Sequence, residues 1–490
     1  MIRGRRLLYV SILLLVVAGG LLLAHRMSRK ASWSTQRTSL KFGGPGSALL
    51  GGLFKQRGQE NNYAPAATGD LTFHRDIAPI IYNKCTRCHY PGSAAPFSLT
   101  SFADVKKRAK RIRWAIDRGL MPPWKPHPDS LAFVGAEKAL SDSEKGKIEQ
   151  WLSEDGTEGD AKDGPPPPQP PSEWPSGTPD AIFETEEPYT IAAEGEDIYR
   201  CFVIPTNFTE DRFVRMTDFI PGSPAVVHHG LFFADTKGIG RQRDAEDPGP
   251  GFTVFGSLGF NPKSQLGGWA PGITPESLPD GVGYYLPKGA DLILQIHYHP
   301  TGKEETDRPK LGLYFCKPPV DKRVRIATVA VPKKALVIPA GETKSIFWAE
   351  QEMPGDITVL QIFPHMHLTG REIAAAALLP DESVIPLIQV DDWDFRWQSI
   401  YSLKTPLPIP KGGKIRLEAR FDNSASNPRN PHRPPRQLGF GNASTDEMCT
   451  VYIFYTVDEE KLTAGKPAPK GYPDSFFVKQ WGKSSGGKLR

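Results

Sequence analysis

Ile357-Thr358-Val359-Leu360-Gln361-Ile362-Phe363-Pro364-His365-Met366-His367 is rich in β-branched and aromatic residues, and it stops at Leu368-Thr369-Gly370-Arg371. Such a run reads as a strand, in which side chains at i and i+2 share a face. His365 and His367 can therefore ligate one metal ion from a rigid pleated surface. Asp291 to His299 has the same character and carries His297 and His299. His228 and His229 are adjacent and would point oppositely in an ideal strand, so both reach one ion only at a bulge or a strand end. Six of the eleven histidines fall in these three pairs.

The composition around these strands agrees with a mainly β chain. The 490 residues correspond to about three domains. Hydrophobic residues at 39% are sufficient for packed cores, while 47 Gly and 48 Pro favour short strands and turns over long helices. The net charge of +5 is concentrated in the first 30 residues and in Lys106 to Arg113. That leaves no broad basic face, and no nucleic-acid partner is expected.

Arg3, Arg5 and Arg6 precede an apolar run from Leu7 to Ala24, long enough to cover most of a bilayer core of roughly 30 Å. The run exceeds the usual signal-peptide core and lacks a clear small-x-small cleavage site. Residues 1–30 are thus expected to be a signal anchor, or a cleaved signal in the alternative. Residues 31–69 read as a linker, 70–155 as a small all-α domain, and 156–178, with Pro165 to Pro168 in a row, as a stiff spacer. Two β domains follow, 179–322 and 323–460, with a tail over 461–490. Ser141 and Glu144 have capping-box spacing ahead of an apolar stripe of Ile148, Trp151 and Leu152.

Cys85-Thr86-Arg87-Cys88-His89 places two thiols where they can add to the vinyl groups of one haem, with the adjacent imidazole on the iron. A thioredoxin-like pair would need a βαβ unit, and a zinc site two further ligands. No such unit is visible and no further Cys lies nearby, so a covalent haem c is expected on Cys85, Cys88 and His89. Met121, opening Met121-Pro122-Pro123-Trp124, is the expected second axial ligand, with His74 and His127 as competitors. The segment from Phe73 to Trp124 resembles the class I cytochrome c domains fused to larger enzymes in some environmental bacteria.

Val227-His228-His229-Gly230, Gln295-Ile296-His297-Tyr298, His365 to Arg371 and Ser444-Thr445-Asp446-Glu447-Met448-Cys449 occur in one order along the chain. In that order they resemble the type II copper monooxygenases, peptidylglycine α-hydroxylating monooxygenase and dopamine β-monooxygenase, over roughly Ile182 to Tyr455. The resemblance implies two consecutive antiparallel, jelly-roll-like β-sandwich domains, each with one copper. It implies His228, His229 and His297 at an electron-transfer copper, and His365, His367 and Met448 at the copper that binds dioxygen. His299 is then left as a structural neighbour. A thioether biases its site towards Cu(I), and zinc rarely recruits methionine.

Where the peptide-processing relatives use Arg and Asn to grip a carboxylate, this chain has Phe363 and Thr450, while Tyr452 matches a substrate-site tyrosine. Cys201 and Cys316 are candidates for a disulfide, leaving Cys449 free. The expected function is a membrane-anchored monooxygenase acting with O2 on a small organic substrate, in the bacterial periplasm or secreted if the signal is cleaved. Electrons would come through the haem from an ascorbate-like reductant or another cytochrome. The alternative is a non-enzymatic haem and copper electron-transfer or copper-handling protein.

Overall fold

The computed structural model describes residues 63–93, 95–254, 257–472 and 484–489. The expected anchor over 1–30, and most of the 31–69 linker, lie outside the described residues. No helix among those described is long and apolar enough to cross a membrane.

The chain is mainly β. In the first β unit, strands Ile198–Pro205, Val227–Asp235, Phe252–Val254, Ser264–Trp269 and Asp291–Tyr298 form one five-stranded sheet. A second sheet contains Arg212–Ile220, Val282–Leu286 and Lys310–Phe315. Phe202, Phe232 and Leu294 from the first sheet share one buried core with Val214, Phe219 and Leu313 from the second. In the second β unit, the sheet of Arg325–Ala330, Cys449–Val457, Ile357–Met366 and Tyr401–Ile409 packs on one built around Ser345–Glu352, Gly370–Leu378 and Lys414–Phe421. Within the expected tail, Ser484–Leu489 adds an edge strand beside Ser345–Glu352.

The two units are not beads on a string. Ile326, Leu360, Tyr452 and Phe454 of the second lie in the core cluster of the first. Arg325 forks onto Glu460 at 2.9 Å for both nitrogens in the interior below this junction. A register shift between Val359 and Gln361 decides what the junction sees. Ile357 and Val359 point into the second unit's own core, as do Ile362 and Met366. Without the bulge, Ile357 and His365 would share a face. With it, the histidine face turns to the first unit, where Gln361 accepts a hydrogen bond from Tyr284 at 2.8 Å.

The preceding helices, Ala78–Lys84, Phe102–Lys107, Ala109–Asp117 and Asp142–Ser153, enclose a core of Phe73, Ile77, Ile81, Ile148 and Trp151. The capping box is formed: Glu144 N–H donates to Ser141 Oγ at 3.2 Å, and Ser141 N–H to Glu144 Oε2 at 2.8 Å. Residues 126–134, though inside the 70–155 stretch expected to form one small domain, leave this group. His127 N–H donates to Gln389 O at 2.7 Å and Leu131 N–H to Leu387 O at 3.1 Å, while Leu131 and Phe133 enter the second β unit's core. The cause is a short apolar strap, Leu131 to Val134, that has a sheet to bury against and too few residues for a helix of its own.

Candidate metal centres

His228, His229 and His297 converge. Strand Val227–Asp235 shifts register against Asp291–Tyr298 between Val227 and His229, so the bulge lets both adjacent histidines reach the same side. Their Nδ1 atoms are 3.1 Å apart for His228 and His229, 3.1 Å for His228 and His297, and 3.4 Å for His297 and His229. Ligands about 2.0–2.1 Å from one tetrahedral ion lie roughly 3.3–3.4 Å from one another, so the trio has the spacing of a single coordination sphere.

Proton placement supports the same conclusion. His297 Nε2 meets Asp197 Oδ2 at 2.8 Å, so the proton sits there and Nδ1 turns a lone pair to the trio. Tyr199 stacks on the His297 ring at 4.2 Å. His299 bonds the other oxygen of Asp197 at 2.7 Å and is exposed, outside the trio. Burial favours raising the Asp197 carboxyl, but its two histidine partners outweigh it and hold it at about 2. Burial, reinforced by His297, pushes His228 down to about 4, and His229 lies well below its ordinary value for the same reasons. Neutral imidazoles with converging lone pairs suit a cation.

The second pair is oriented the other way. His365 Nδ1 donates to Gln398 Oε1 at 2.5 Å and His367 Nδ1 donates to Asp446 O at 3.2 Å, which leaves both Nε2 atoms for a ligand. Burial pushes His365 down to about 4; burial and then His365 push His367 down to about 3. Glu447 is wholly buried beneath them. Its Oε2 accepts from His367 N at 2.9 Å and Met448 N at 3.2 Å, and its Oε1 from Thr369 N at 2.7 Å and Thr369 Oγ1 at 2.6 Å. Desolvation raises this carboxyl to about 7 against the pull of those donors. One carboxyl thus ties the His367–Thr369 turn to the Met448 backbone.

Both groups open on one cavity of about 630 Å³ between the β units, which His228, His229, His365, His367 and Met448 all line. Tyr452 lines it too, buried and stacked on its cross-strand partner Phe363 at 5.6 Å, with its ring 6.3 Å from His365. Thr450 sits opposite His365 across the strands. Burial holds the Tyr452 phenol above its ordinary range.

In the helical group, Cys85 and Cys88 are not joined in a disulfide. His89 Nδ1 donates to Phe97 O at 3.0 Å, leaving Nε2 open, as an iron ligand requires. Met121 follows helix Ala109–Asp117, and its N–H reaches Ala115 O at 3.4 Å. Of the competing histidines, His74 lies 3.5 Å from Glu158, and His127 belongs to the strap on the second β unit. The Cys201–Cys316 disulfide does not form. Cys201 is enclosed in the 198–205 strand, while Cys316 Sγ donates to Val282 O at 3.3 Å on the other sheet.

Sequence reasoning missed Asp197 and Gln398, because each acts across a pairing that no local pattern reveals. Glu447 was visible as part of a motif but without a role.

Residues 331–470 match the C-terminal domain of the copper type II ascorbate-dependent monooxygenases. That domain carries His365, His367 and Met448. The chain is also 23% identical over 326 residues to the human putative DBH-like monooxygenase protein 2, covering 61% of this chain and 60% of that protein. It is 25% identical over 187 residues to the Drosophila melanogaster MOXD1 homolog 1, covering 36% of this chain and 24% of that protein. The chain therefore spans less than two thirds of either relative. Against solved structures, the infectious bursal disease virus VP2 subviral particle gives a TM-score of 0.16 at 9% identity, over 59% of this chain and 74% of that one, and nothing rests on it.

Proposed function

We propose that the chain is a copper-dependent monooxygenase that places one atom of dioxygen in a C–H bond of a small, uncharged organic substrate. The observation that carries this reading is the pairing of two unlike donor sets, a trio of imidazole Nδ1 atoms and a His365–His367 pair beside Met448, on one cavity. Copper at the trio would store and pass an electron, and copper at the second set would bind and reduce dioxygen. The chain's own part is to hold ligands and substrate. Asp197 keeps His297 in the ligating tautomer, and Gln398 and Asp446 O do the same for His365 and His367. Glu447 holds the turn, and the stacked Phe363–Tyr452 pair offers an apolar wall beside His365.

That wall supports an uncharged substrate. The charged side chains bordering the cavity are Lys333, Glu350 and Arg396. Glu350 is engaged by Arg416 at 3.1 Å, Arg396 forks onto Asp394, and Lys333 lies 4.3 Å over the Phe440 ring. Burying an unpaired ion beside Phe363 and Tyr452 would cost several kcal/mol, so about tenfold or greater preference for a neutral ring compound over its anion is expected.

Electrons would be supplied through a covalent haem on Cys85 and Cys88, carried by His89 and Met121, in a protein anchored to the bacterial inner membrane with its soluble part in the periplasm. Close approach supports haem supply: Arg87 bonds Thr274 at 3.3 Å, and a Cβ on Gly272 would sit 2.9 Å from Cys88 Sγ. The segment touched there follows strand Ser264–Trp269 and also lines the main cavity through Ala270 and Ile273. Copper-loaded protein given labelled dioxygen and neutral aromatic compounds should form a product carrying one labelled oxygen. Copper and haem uptake with no substrate-dependent oxygen consumption would favour the electron-transfer alternative.

A further inference from the structure

We propose that Phe395 is the positioning residue that sets the gap between the two metal-ligand clusters, an inference that rests on the copper reading above. Its ring stacks near-parallel on His228 with centroids 6.3 Å apart, and meets His367 edge-on at 5.7 Å. One phenyl group therefore touches a ligand of the first β unit and a ligand of the second, across the cavity that separates them.

The backbone that carries the ring is tied within the second unit. Gln398 Nε2 donates to Phe395 O at 2.9 Å while Gln398 Oε1 accepts from His365, so one glutamine joins the Phe395 backbone to the His365 tautomer. On the other flank Trp393 Nε1 donates to His367 O at 3.1 Å, and Trp393 N–H to Arg371 O at 2.8 Å. Arg396 forks onto buried Asp394 at 2.9 and 2.6 Å, bracing the turn between them. A half-buried aromatic so thoroughly tied, yet reaching a histidine of the other unit, acts as a spacer. It fixes how near the clusters come and displaces water that would otherwise fill the space between His228 and His367. Phe395 touches ligands rather than reacting atoms, so its effect is on metal–metal geometry.

The test is electron paramagnetic resonance of the full chain loaded with Cu(II) at both clusters, read for dipolar coupling between the two ions. Native protein should show one well-defined coupling. Phe395→Ala should retain native copper content and thermal midpoint but broaden that coupling, because the ring between His228 and His367 is gone and only the shared core beyond the cavity still relates the two clusters. Phe395→Leu, which refills much of the volume, should recover it. Native coupling in Phe395→Ala at full copper content would overturn the proposal. Broadened coupling in both variants with unchanged copper content would overturn the volume argument and with it the spacer role. A native chain that takes up copper at neither cluster would instead defeat the copper reading.

Discussion

The two histidine clusters use the same side chain on the same kind of strand, yet present opposite ring nitrogens. At His228, His229 and His297 the Nδ1 atoms converge, and a carboxylate on the far nitrogen of His297 sets the tautomer. At His365 and His367 the Nδ1 atoms face away, held by an amide oxygen and a backbone carbonyl. The difference lies in what stands behind each ring. An anionic partner makes His297 a more basic ligand, whereas neutral acceptors leave His365 and His367 weaker donors beside a soft thioether. The first arrangement suits a site that accommodates both copper oxidation states; the second leans towards the reduced one.

Removing the backing of the second cluster should have the largest effect. Glu447→Ala leaves the N–H groups of His367, Thr369 and Met448 without their acceptor, at about 1–3 kcal/mol for each buried donor. Chemical denaturation should show that loss, and copper analysis should find metal retained at the three-histidine cluster only. At the first cluster the matching change is milder. Asp197→Asn should weaken copper binding there by about 10–100-fold, measured by chelator competition. His299→Ala, exposed and outside the trio, should alter it little.

A smaller effect separates the two units by how they treat a buried carboxyl. Glu447 is surrounded by donors; Asp218, in strand Arg212–Ile220, is buried with no hydrogen-bond partner for Oδ2 among the described residues. Desolvation raises it to about 6. The folded state thus holds that proton more tightly than the unfolded chain. The group's cost to stability appears as pH rises past its unfolded value near 4 and is complete above 6. Asp218→Asn should stabilise by about 1–3 kcal/mol at pH 7.5 and by almost nothing at pH 4, in denaturant titrations at the two pH values.

The strands, the same-face placement of His365 and His367, and the bulge needed at His228 and His229 were legible because each depends on local periodicity. The capping box at Ser141 was legible for the same reason. The bulge near Leu360, which turns the histidine face to the other unit, was not, because Val359-Leu360-Gln361 carries no glycine or proline to announce it. Asp197 and Gln398 were invisible as partners, since they meet His297 and His365 only after distant strands pair. The 126–134 strap illustrates the converse: its composition fits either neighbour, and burial of Leu131 and Phe133 decided between them.

X-ray absorption at the copper edge of the fully reduced, copper-loaded protein tests the unlikeness of the two clusters most directly. Imidazole scattering with one methionine sulfur contribution is expected, and Met448→His should remove the sulfur while leaving the imidazole signal. A native spectrum without sulfur, or a sulfur contribution that survives Met448→His, would contradict the account.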